Sequence, residues 1–147
     1  MRKEVLFLIG LVFAGILASS GRAEEAKKEA GFLPFKLNEF LDVSSGTDTV
    51  RIEDLKVTAG QDTFLGKMPV MAKVNIKNLT EKKLQLSIYL VLFDEKKNLI
   101  AAGNYSSVSG MGGFGPRETS TETISLGYAS DLSRAKLYQY RVVTFSE

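Results

Sequence analysis

Between Val50 and Phe145 several runs place an apolar residue at every second position, the period of a strand with one face in a core. Leu84, Leu86, Ile88, Leu90 and Leu92 make the longest run, with Gln85, Ser87, Tyr89, Val91 and Phe93 on the other parity. The second set begins polar and ends apolar, so the far end of this strand is predicted to be covered on both sides. Val70, Ala72, Val74 and Ile76 alternate with Met71, Lys73, Asn75 and Lys77, the pattern of a half-buried strand. Val50 and Ile52 share one parity, and Leu55, Val57 and Ala59 take the other. A flip inside one strand needs an extra residue, which predicts a bulge at Glu53-Asp54. A weaker strand is predicted over Leu99–Val108, a Thr- and Ser-rich one over Thr119–Leu126, and an aromatic, β-branched one over Leu137–Phe145.

Turn-forming clusters separate these runs: Ser44–Thr49, the loop Gly60–Pro69, Asn78–Lys83, Asp94–Asn98 and the Gly-rich Ser109–Glu118. Tyr128–Arg134 reads as a crossover with one helical turn, capped by Asp131 or Ser130. Six or so strands with turns at this spacing predict an antiparallel two-sheet β-sandwich. The stretch from Gly31 to Leu41 is apolar without a clear period, an irregular segment or a short strand lying across the domain. Glu24–Ala30 (EEAKKEA) is charged and Ala-rich and reads as a solvated leader.

The N-terminus follows a different rule. Met1-Arg2-Lys3 is positive, Val5–Ala18 is an uncharged apolar run of 14 residues, and Ser19 to Ala23 is rich in small residues. These are the three parts of a secretory signal peptide, with cleavage after Ala23 fitting best and after Ser20 as the alternative. A helix of that length covers about 21 Å, short of the roughly 30 Å hydrocarbon core that an anchor must cross. The predicted organisation is a signal-peptide helix over 1–23, a leader and irregular segment over 24–49, and a β-sandwich over 50–147. The expected location is outside the cytoplasm, periplasmic or secreted, with no stable membrane anchor after cleavage.

That reading changes the charge picture. Of 19 Lys and Arg, the signal removes Arg2, Lys3 and Arg22, and of 17 Asp and Glu it removes Glu4, leaving 16 of each sign. A neutral mature chain gives no net-charge case for nucleic acid or for an anionic membrane. The chain has no Cys, His or Trp. Without Cys there is no disulfide framework and no lipid attachment of the lipoprotein type. Without His and Cys the usual zinc ligands and the commonest general base are absent, and a Ser–His triad is out.

The remaining candidates are weak as chemistry. Gly110-Met111-Gly112-Gly113-Phe114-Gly115 has the composition of a phosphate loop, but Pro116 and a strand follow instead of a helix N-terminus. It reads as a strand connection, or as a partner loop presenting Met111 and Phe114. Glu53-Asp54, Asp94-Glu95 and Asp42/Asp48 show neither the paired placement of a glycosidase nor calcium-loop spacing. Tyr89, Tyr105, Tyr138 and Tyr140 fit cross-strand packing or an aromatic binding face. Asn78-Leu79-Thr80 and Asn104-Tyr105-Ser106 match glycosylation sequons by chance, given the bacterial-looking signal. No catalytic, cofactor or metal residues are assigned.

Residues 70–127 resemble the FxLYD-type domain of exported bacterial proteins. The likeness rests on Val74-x-Ile76-x-Asn78, a charged turn, Leu90-Val91-Leu92-Phe93-Asp94 followed by Leu99, and the turn Gly115-Pro116-Arg117-Glu118. Leu90 stands where the family has Phe, Phe93 where it has Tyr, and Asn98 near a usual Gly. The resemblance implies an immunoglobulin-like sandwich and brings no catalytic residue. The expected function is thus a non-enzymatic exported module that binds or supports a protein partner in the cell envelope. A carrier of a small apolar or carbohydrate ligand is the alternative, and an unrecognised hydrolase is third.

Overall fold

The computed structural model describes residues 24–29, 31–43, 47–61, 63–107 and 113–145. The signal-peptide reading of residues 1–23 lies outside them. In chain order the strands are β1 (Glu24–Glu29), β2 (Leu33–Pro34), β3 (Val50–Ala59), β4 (Met68–Asn78), β5 (Gln85–Phe93), β6 (Leu99–Ser106), β7 (Thr119–Ala129) and β8 (Leu137–Phe145). A 3-10 turn, Leu132–Arg134, precedes β8, and the Asp131 carboxylate caps it by accepting from the Ser133 amide.

Two antiparallel sheets pack as a sandwich. One has the order β3-β4-β7, and the other the order β1-β8-β5-β6 with β2 also on β8. From β3 onward the wiring is immunoglobulin-like: the first, second and fifth strands share one sheet, and the third, fourth and sixth share the other. The inward parities meet between the sheets. Leu86, Ile88, Leu90 and Leu92 of β5 and Tyr138, Tyr140 and Val142 of β8 face Val70, Ala72, Val74 and Ile76 of β4 in one cluster. Each fully buried aliphatic side chain in it contributes roughly 1.5–3 kcal/mol.

The parity flip in β3 is a bulge: pairing with β4 shifts between Glu53 and Lys56, and Asp54 takes φ 53°. On the far seam β6 and β7 belong to different sheets and nearly touch. A Cβ on Gly103 would stand 2.0 Å from the Ser125 carbonyl oxygen, so the two backbones close there only with glycine.

The N-terminal segment departs from the leader reading. Glu24–Glu29 pairs with β8 from Phe145 to Arg141, and Leu33-Pro34 pairs with Tyr138 and Leu137. β1 and β2 therefore occupy the place beyond β8 that a further C-terminal strand takes in an immunoglobulin domain. The chain then crosses to the other sheet, where the Asn38 and Leu41 amides donate to the Val57 and Leu55 carbonyls of β3 (3.1 and 2.8 Å). Phe35, Leu41 and Val43 are buried on the way. The apolar residues that lacked a period are a strap closing the open seam. The Tyr138 hydroxyl ties it down by donating to the Asp42 carbonyl at 2.7 Å.

Candidate functional site

Phe114 does not present itself to a partner. It bridges Leu84 through two backbone hydrogen bonds (2.8 and 2.9 Å), its ring lies 6.3 Å from that of Tyr105, and it is 4% exposed. Of the two readings of the Gly-rich loop, Phe114 follows the packed one: the side chain fills the end of the sandwich and is withdrawn as a partner contact. Met111 lies outside the described residues. Asn78 fixes this end of the loop. Fully buried, it donates from Nδ2 to the carbonyls of Lys82, Phe114 and Gly115, and its Oδ1 accepts from the Thr80 amide and hydroxyl.

Glu53, Asp54 and Asp94 are engaged in local structure. Asp54 accepts from Asn75 within the bulge, and Glu53 faces Arg51 at 3.7 Å. Asp94 organises the β5–β6 turn. Its carboxylate accepts from the Asn98 side chain (2.8 Å), the Asn98 amide (2.8 Å), the Lys96 amide (2.9 Å) and Arg134 (3.1 Å). The Asn98 side chain first, then the backbone donors and Arg134, hold its pKa below the ordinary carboxylate value against the opposing effect of burial. A carboxylate so fully engaged is a turn clasp rather than a general acid. Beside it lies a recess of about 450 Å³ lined by Asp94, Glu95, Lys96, Asn98, Ser133, Arg134 and Lys136. All seven lining residues are polar or charged in type. Among the described residues, no three Asp or Glu gather as a metal site.

The four tyrosines do not share a face. Tyr138 and Tyr140 stack at 6.4 Å inside the core, Tyr105 packs on Phe114, and Tyr89 points to the opposite side of β5. Burial first, then the nearby Asp42 charge, pushes Tyr138 up to about 12.

Two surfaces stand out instead. The first is the second face of β5 and β8. Val91, Phe93, Val143 and Phe145 lie outside the interior cluster, yet each is less than a tenth exposed, as are Gln85, Ser87 and Arg141 between them. An antiparallel sheet ordinarily gives this face to water. Among the described residues the ring packed on it is Phe32, edge-on to Phe93 at 5.1 Å with Lys97 over its other side at 4.5 Å. β6 does not share the dryness: Ala102 and Asn104, opposite Val91 and Tyr89, are exposed.

The second is the β3–β4 end of the other sheet. Phe64 and Lys67 close a two-residue turn with reciprocal bonds of 2.9 and 3.0 Å, and Leu65 and Gly66 between them take φ 51° and 70°. Such turns favour Asn-Gly. A left-handed leucine costs about 1–2 kcal/mol. Here Leu65 is 84% and Phe64 64% exposed. Tyr128, at the end of β7, sets its ring 6.0 Å from Phe64, and Met71 is the next exposed apolar residue along β4. From the sequence, Gly60–Pro69 reads as a plain loop. The Phe-Leu pair ahead of Gly66 was its one signal, and Tyr128 is distant in sequence.

Comparison with protein-family models, curated proteins and solved structures found no match.

Proposed function

We propose that the chain is an exported, non-enzymatic β-sandwich module that binds or supports a protein partner in the periplasm or at the cell surface. The observation that carries this reading is the second face of β5 and β8. Its apolar residues repeat core chemistry on the side of a sheet that ordinarily faces water; each is less than a tenth exposed within the chain, so the partner contact replaces cover that the chain itself supplies. The three-part N-terminus supports export, and the likeness of residues 70–127 to FxLYD-type domains supports a module without catalysis.

The test compares the two sheets in the processed protein, whose N-terminus should read Glu24. Tyr89→Ser and Gln139→Arg, at half-buried positions on the dry face, should lower chemical cross-linking to an envelope protein. Lys73→Ser on the other sheet should leave it unchanged. Cross-linking that ignores both dry-face changes would count against the proposal.

A further inference from the structure

The β3–β4 end is built from choices that each work against stability in water. A leucine sits in a left-handed turn position that suits asparagine, and its side chain and that of Phe64 stand in solvent. Behind the turn, Lys56 of β3 lies directly across from Lys73 of β4 on the outer face, and like charges so placed repel. Lys67 adds a third cation at the turn itself. Two rows of this face near the turn, Thr58–Met71–Ser125 and Lys56–Lys73–Thr123, hold no carboxylate, and the Lys56 ammonium lies 5.5 Å over the ring of Phe40. Among the described residues of this end, an apolar tip with lysines behind it is the result. Backbone held in an unfavourable conformation at an exposed tip points to use rather than to folding.

One kind of surface turns all of these features to advantage. At an anionic bilayer, Phe, Leu and Met enter the acyl boundary, a tyrosine settles at the headgroups, and lysines meet phosphate charge. We propose that the β3–β4 end docks the domain peripherally on an anionic lipid bilayer, with Phe64, Leu65 and Met71 entering, Tyr128 at the interface, and Lys56, Lys67 and Lys73 on the headgroups. The convex shape favours lipid over protein: Leu65 and Phe64 protrude, and a soft interface accepts a protrusion without a matching pocket. This contact is separate from the partner face proposed above, which belongs to the other sheet. The two proposals stand or fall independently.

The chain contains no Trp, so one introduced indole reports without background. Leu65→Trp places it at the tip, and Leu99→Trp places it at a 60% exposed position on β6 of the other sheet. With phosphatidylcholine–phosphatidylglycerol vesicles, emission from position 65 should shift to the blue and that from position 99 should not. Because the comparison is between two positions of one chain, the full chain serves even if its N-terminus also meets lipid. Lys56→Gln, Lys67→Gln and Lys73→Gln should each weaken the apparent vesicle affinity about fivefold, and added salt should do the same progressively. Phe64→Ser in the Leu65→Trp chain should reduce the shift while leaving the urea melt in place. An unmoved emission at position 65 would overturn the proposal, as would equal shifts at 65 and 99. A shift at position 65 produced only by a lipid-free protein fraction would assign the tip to a protein and overturn it too.

Discussion

The two sheets solve the same packing problem with opposite outer faces. In the three-stranded sheet β4 alternates buried and open residues along its length, and its outer side carries Met71, Lys73, Asn75 and Lys77. In the five-stranded sheet β5 is buried at every position except Tyr89, and β8 is buried from Tyr140 to Phe145. One sheet therefore has a single purpose for its apolar residues, and the other has two. Alternation measures how many faces a strand hides, and its loss in β5 and β8 marks strands covered on both faces.

The sharpest test of that contrast is one residue from each sheet. Ile88 is 1% exposed and faces the interior, so Ile88→Ala should cost about 2–5 kcal/mol in urea melts. Lys73→Ala, on the outer face of β4, should change stability by less than about 0.5 kcal/mol. Comparable losses would break the distinction between inner and outer parity on which both surfaces depend.

The seam where the sheets meet gives a second, intermediate effect. A methyl group at Gly103 would collide with the Ser125 carbonyl at 2.0 Å, backbone against backbone, with no flexible side chain to yield. Gly103→Ala should destabilise by about 1–3 kcal/mol, as overpacking does elsewhere, read as a lower urea midpoint. An unchanged midpoint would mean that β6 and β7 can separate freely and that the sandwich is open on this side.

Much of this contrast is legible in the chain, and the illegible parts have physical reasons. The period-2 run of Leu84–Leu92 and the parity flip at Glu53-Asp54 record side-chain placement directly, and both appear as read. β1 does not, because Glu24–Glu29 pairs through backbone groups, which leave no mark on side-chain choice. The strap from Phe35 to Val43 buries apolar residues while crossing between sheets, so no period can describe it. Phe114 among glycines is equally consistent with packing and presentation; the reciprocal bonds to Leu84, 30 residues earlier in the sequence, decide it. The apolar end was hidden because Phe64 and Tyr128 come together only through the pairing of Pro69 with Tyr128.

Tyr138 extends the comparison to the strap that joins the sheets. Its hydroxyl bond to Asp42 holds the crossing segment, and Tyr138→Phe should cost about 1 kcal/mol near neutral pH. Its pKa lies at about 12 in the fold against an ordinary 10.0, so the unfolded chain ionises first. The stability linked to this group is complete below pH 10 and is lost as pH rises towards 12. The gap between wild type and Tyr138→Phe should therefore narrow across that window in alkaline melts. A gap independent of pH would show that the hydroxyl is not held in its neutral form.

The smallest effect concerns the two tight turns, one in each sheet. The β3–β4 turn leaves Leu65 in solvent, whereas the β5–β6 turn gathers four donors on the Asp94 carboxylate. If the second turn is a purely structural clasp, its contribution follows the charge of that carboxylate. The folded pKa lies below the ordinary 3.8, so the linked stability is present above that value and fades as pH falls through the lower folded one. Asp94→Asn should flatten that part of the acid limb in thermal melts, with the melting temperature at neutral pH lowered only slightly. Leu65→Asn, which places a turn-forming residue at the left-handed position, should leave the acid limb alone and raise the melting temperature slightly. A leucine that proved better than asparagine there would mean that the apolar tip packs within the domain, and the reason for reading it as an outward-facing surface would disappear.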